Sequence, residues 1–100
     1  MRWMETIKVQ SATGKGQITE NELLELSREI QENPERQGLL KVIVSSHAWV
    51  PGLFAMRLFW DTDDPRPEGS LVGMNLSQGL KAYGIVDHSI WVETKQGRGA

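Results

Sequence analysis

The chain contains no cysteine, which removes disulfides, thiolate nucleophiles, zinc fingers and iron–sulfur ligation together. No apolar run approaches the roughly 20 residues that span a bilayer. The opening Met1-Arg2-Trp3-Met4-Glu5 also lacks the long apolar segment of a signal peptide, so the expectation is a soluble, cytoplasmic protein with no membrane partner. Positive charge is not in excess: 11 Lys and Arg stand against 13 Asp and Glu. They are scattered along the chain, which offers a phosphate backbone no basic face and removes nucleic acid from the expected partners. No internal repeat of about 20–50 residues is visible.

What is present fits one globular domain. One hundred residues, 39% hydrophobic and 24% charged, suffice for one modest core and are too few for two. Met4 to Ser11 predicts a first strand, Ile7 and Val9 alternating with Lys8 and Gln10 before the break at Thr13-Gly14-Lys15-Gly16. Thr19 with Glu22 matches a capping box, and Ile18 with Leu23 a hydrophobic staple, so the first helix is expected to start at Thr19. Leu23, Leu26 and Ile30 form its apolar stripe, and Asn33-Pro34 ends it. Leu39 to Ser46 is too short and too β-branched for a helix and predicts the second strand. Leu53 to Trp60 predicts the third, joined to the second through the Pro51-Gly52 turn.

Asp61 to Gly69, dense in Asp, Pro and Gly, predicts an exposed connection. From Ser70, the positions Val72, Leu76, Leu80 and Tyr83 recur at helical intervals, with Gly84 placed as a left-handed terminator. Gly73 and Gly79 inside this second helix each cost about 1 kcal/mol of propensity, which implies either close packing there or a marginal helix. Ile85 to Glu93 is the last strand. Residues 1–93 thus form a single domain of order βαββαβ, and 94–100 a flexible tail. The fold class is α+β, ferredoxin-like, with two helices on one face of a four-stranded antiparallel sheet.

A sheet covered on one face should alternate cleanly between apolar and polar positions. This one is apolar on both parities: Phe54, Met56, Leu58 and Trp60 against Leu53, Ala55 and Phe59; Leu40, Val42 and Val44 against Leu39 and Ile43. Burying several hundred Å² of the uncovered side offers on the order of 10 kcal/mol before association costs. A homodimer packed through the open sheet face is therefore expected, the alternative being cover from the chain's own loops and tail.

The strings Leu40 to His47, Phe54 to Trp60 and Tyr83-Gly84-Ile85-Val86-Asp87-His88-Ser89-Ile90-Trp91 resemble the dimeric α/β-barrel superfamily. More narrowly, they resemble the antibiotic-biosynthesis monooxygenase-like small proteins, over Met4 to Glu93. That resemblance implies two subunits packed sheet to sheet. For some members it implies cofactor-free oxygenation of quinol-like or polyketide-like aromatics, and for others haem degradation with an iron-ligating histidine on the second helix. Ser70 to Tyr83 holds no histidine, so no haem, and no other cofactor, is expected.

The candidate catalytic residues are His88, mid-strand between Val86 and Ile90, where an imidazole can serve as base or hydrogen-bond a phenol, and Arg57, a cation among apolar strand neighbours. Trp60, Trp91, Asn75 and His47 are candidate ligand contacts, the two indoles with Phe59 as an aromatic wall. Each has a structural alternative: His88 and the tryptophans as core or interface packing, Arg57 in a salt bridge across the dimer, His47 as a surface turn residue. His88 and Asp87, being strand neighbours, point to opposite faces and cannot form a dyad. Asp61, Asp63 and Asp64 lack the spacing of a calcium loop, so no metal is expected. The readings left standing are a homodimer that binds a small aromatic ligand and, as the alternative, a cofactor-independent monooxygenase.

Overall fold

Alternating side chains in four extended segments build the sheet, and two amphipathic segments cover one side of it. The computed structural model describes residues 1–33, 37–63 and 65–94; Pro34, Asp64 and the tail from residue 95 lie outside them. The elements are β1 (Arg2–Ser11), α1 (Gly16–Gln31), β2 (Leu39–Ser46), β3 (Leu53–Asp61), α2 (Leu71–Leu80) and β4 (Gly84–Val92). The sheet order is β2-β3-β1-β4, every pairing antiparallel. Thus β1 and β3 are central, and β2 and β4 are opposite edges. Ser46 of β2 and the adjoining His47 thus lie at the opposite edge from Asp87 of β4 and cannot form a Ser-His-Asp triad with it within one chain. Among the described residues, no helix is long and apolar enough to cross a membrane.

Register sorts the side chains into two faces. Opposite β1's Trp3, Glu5, Ile7 and Val9 stand Trp60, Leu58, Met56 and Phe54 of β3, and on the other flank Val92, Ile90, His88 and Val86 of β4. Leu23 and Ile30 of α1 and Leu76 and Leu80 of α2 bury against this face, forming one core. Thr6, Ala55, Arg57, Phe59, Ser89 and Trp91 lie on the other face. It bears no helix and is mixed rather than uniformly apolar.

Three local readings need correction. Helix α1 begins one turn before Thr19, at Gly16. Thr19 is fully buried in its first turns, and its hydroxyl donates to the Lys15 carbonyl at 2.8 Å; a hydroxyl spent on the residue four back cannot cap. Ile18 is exposed, so no staple forms. In β2 a bulge between Leu39 and Lys41 makes Leu40 the extra residue. Leu39, not Leu40, joins Val42 on the core face, and Leu40 is exposed. Gly84 opens β4 with no positive φ. It is demanded by contact instead, since a Cβ there would lie 2.0 Å from the Gln10 carbonyl oxygen. The Pro51-Gly52 turn is as expected, Gly52 taking φ +76°.

Candidate functional site

The core face carries one residue that its neighbours do not predict. Glu5, second along an otherwise apolar row, is 0% exposed, and a buried carboxylate needs partners on both oxygens. Three elements supply them. Trp60 on β3 donates its indole N–H to Oε1 at 2.8 Å. Ser70, the residue capping α2, donates its hydroxyl to the same oxygen at 2.5 Å and its backbone N–H to Oε2 at 3.1 Å. His88 on β4 lies diagonally across the strand pair, and its Nε2 shares one hydrogen with Oε2 at 2.8 Å. The ring of His88 is mostly covered, its side chain 17% exposed.

Two glycines let α2 descend onto this carboxylate. A Cβ at Gly73 would stand 2.0 Å from Glu5 Oε2, and one at Gly69 2.4 Å from the same atom and 2.7 Å from the His88 ring. Close packing is therefore the reason for Gly73. Gly79, where an added Cβ meets nothing within 4 Å, has no such reason. Ser70 also accepts the Gly73 N–H at 3.0 Å, closing the first turn of the helix.

Beside the cluster opens a cavity of about 540 Å³ whose lining includes Trp3, Trp60, Thr62, Arg66, Ser70 and Leu71. Trp3 and Trp60 stack with ring centroids 5.6 Å apart and planes 15° from parallel, and Trp3 Nε1 donates to Thr62 Oγ1 at 2.7 Å. The cavity therefore offers the uncovered parts of two largely buried indoles, each 6% exposed, beside a hydroxyl, that of Ser70, already wired to Glu5. A second hollow, about 580 Å³, runs between α1 and α2 past Leu26, Leu76 and Tyr83. There Tyr83 donates to Glu22 at 3.3 Å. Desolvation, and then the Glu22 charge, hold the Tyr83 phenol above its ordinary pKa.

No family model and no curated protein matches the chain. Solved structures do. A Pseudomonas aeruginosa protein is 19% identical with a TM-score of 0.68, the alignment covering 93% of this chain and 94% of that one. A Mycobacterium tuberculosis protein is 9% identical with a TM-score of 0.69, over 96% and 98%. A candidate antibiotic biosynthesis monooxygenase of Deinococcus radiodurans is 13% identical with a TM-score of 0.65, over 93% of each chain. The chain shares the ferredoxin-like α+β fold of these structures.

Within that fold the expected site residues are dispersed. His88 and Trp60 meet at Glu5. Arg57 pairs in register with Thr6, on the uncovered face, so it cannot share a ligand with His88 in one chain. Trp91 and Phe59 lie on that face too, Trp91 59% exposed with its Nε1 donating to Ser89 at 2.9 Å; together with Trp3 and Trp60 they line a separate hollow of about 320 Å³. Asn75 is exposed and lines the hollow between the helices. His47 Nδ1 accepts the N–H groups of Trp49 and Val50 at 3.1 and 3.0 Å, which shapes the β2–β3 turn. Asp61 receives the N-terminal ammonium at 3.2 Å. Glu5 and Ser70 were missed as site residues, though parity alone places Glu5 on the Ile7 and Val9 face.

Proposed function

We propose that this protein binds a small planar aromatic molecule in the cavity floored by Trp3 and Trp60. The observation carrying the reading is the juxtaposition of that stacked indole pair with the Ser70–Glu5–His88 chain. It sets an apolar wall of two indoles and Leu71 beside an anchored hydroxyl, with Asp63 and Arg66 also in the lining, and an apolar wall with a few polar groups is the usual make-up of a small-molecule site. The four tryptophans give an internal control. On titration with 2-naphthol, the indole N–H resonances of Trp3 and Trp60 should move saturably while those of Trp49 and Trp91 stay in place. Movement confined to Trp91, or none that saturates, overturns the reading.

We infer further that two copies associate through the uncovered sheet face. Support comes from the apolar side chains there: Ile85 is 78% exposed, and Trp91, Ile43 and Leu40 are exposed as well. Light scattering should give twice the chain mass, falling to one chain in Phe59→Glu. A stable single chain at micromolar concentration overturns the dimer. Cofactor-independent oxygenation of a quinol-like aromatic is the second reading, favoured by the name of the Deinococcus radiodurans neighbour and by an acid–base pair, Glu5–His88, behind the cavity wall. Quinol consumption under air should then fall to background in His88→Ala; an unchanged rate removes this chemistry.

A further inference from the structure

The hydrogen-bond inventory around the cavity limits what its ligand can be. A serine hydroxyl has one hydrogen to give and two lone pairs to fill. Ser70 gives its hydrogen to Glu5 Oε1 and fills one lone pair with the Gly73 N–H. One lone pair remains. Three neighbouring N–H groups are also committed: Trp60 Nε1 and the Ser70 backbone N–H to Glu5, and Trp3 Nε1 to Thr62. At Ser70 itself the cavity therefore presents a ligand with an acceptor, and the lining also holds a donor, the guanidinium of Arg66.

Turning the Ser70 hydroxyl toward the cavity would strip a donor from a carboxylate that no water reaches, since Glu5 is 0% exposed. Leaving such a group short of a partner costs more than one ordinary hydrogen bond returns. The N-cap bond opposes the same rotation, because it fixes where Oγ sits against the first turn of α2. The polarity of Ser70 is thus set from behind by Glu5.

We propose that Ser70 is the specificity-determining residue of the cavity and selects aromatic molecules carrying a hydrogen-bond donor, a phenolic O–H or an aromatic N–H. Isosteric ethers and N-alkylated analogues are selected against. This rests on the binding reading above and adds to it the polarity of the ligand's anchoring group. Glu5 is a positioning residue here: it touches no ligand and acts by orienting the Ser70 hydroxyl.

The test uses two matched probe pairs, 2-naphthol with 2-methoxynaphthalene and indole with N-methylindole, each titrated by the Trp3 and Trp60 resonances. In the wild-type chain the donor member of each pair should bind roughly tenfold more tightly, the difference one hydrogen bond makes. Ser70→Gly, which keeps most of the helix cap, should bring both ratios to about one, and Ser70→Thr should restore them. A ratio within each pair is read on the same folded sample, so lost stability does not mimic the effect. Equal binding of both members to the wild-type chain, or ratios that survive Ser70→Gly, overturns the inference while leaving the cavity as a binding site. Absence of binding by all four probes overturns the binding reading itself.

Discussion

The two faces of the sheet solve the problem of polar side chains in opposite ways. On the core face a single carboxylate, Glu5, has gathered donors from β3, β4 and the head of α2. On the uncovered face Lys8 stands opposite Asp87 and Arg57 opposite Thr6, with no ion pair between these charged groups. Polar groups that the chain itself buries must be satisfied by the chain. Those on a surface open to water, or to another molecule, need no internal partner. The contrast marks where this molecule has organised its own chemistry and where it has left groups free.

The largest expected effect breaks the closed side of that comparison. Glu5→Ala leaves the Trp60 indole N–H, the Ser70 N–H and His88 without their acceptor in a dry cluster, and opens a void besides. Chemical denaturation should show a loss of about 3 kcal/mol or more. Arg57→Ala, on the open face, should stay within about 0.5 kcal/mol at protein concentrations too low for association. Comparable losses for both would mean that the Glu5 hydrogen bonds contribute little beyond what an exposed side chain does.

How much of this was legible in the sequence follows the same division. Element order and most boundaries came from periodicity, which registers only the apolar face a segment must bury. The same periodicity marks Glu5: two residues before Ile7 on one strand, it had to face the core. The signal was a charged residue at an apolar parity. It is easily discounted in isolation, because its partners Trp60, Ser70 and His88 lie 55 to 83 residues away in the chain. Thr19 failed as a cap for a local reason, its side chain facing inward where only the Lys15 carbonyl was within reach. The Leu40 bulge inverted one residue of a correctly placed strand, and nothing in a run of aliphatic side chains announces such an insertion.

The two glycines of α2 sharpen the comparison at intermediate magnitude. Gly73→Ala improves helix propensity by about 1 kcal/mol but places a methyl group 2.0 Å from Glu5 Oε2. The helix must then lift or the carboxylate must leave its donors. Net destabilisation of about 1–3 kcal/mol is expected. Gly79→Ala meets nothing within 4 Å and should stabilise by up to about 1 kcal/mol. Thermal melts of the two variants should therefore move in opposite directions from the wild type. If both rise, α2 does not sit against Glu5 as described.

The smallest effect concerns Tyr83 and Glu22, a surface pair with one 3.3 Å hydrogen bond in place of the several at Glu5. Desolvation, seconded by the Glu22 charge, raises the Tyr83 pKa above its ordinary 10.0 in the folded chain. The unfolded chain thus releases this proton first as pH rises, and between the two pKa values the folded state binds more protons than the unfolded. Stability must fall with pH across that window; the Tyr83 contribution is fully present below pH 10.0 and is lost as pH rises through the raised value. Tyr83→Phe removes this dependence. The variant and the wild type should differ little in urea midpoint near neutrality in their response to pH, and the wild type should then decline more steeply above pH 10. Parallel curves throughout would show that the phenol titrates alike in both states, which would leave Glu5 as the one carboxylate in this pair of sites whose surroundings do energetic work.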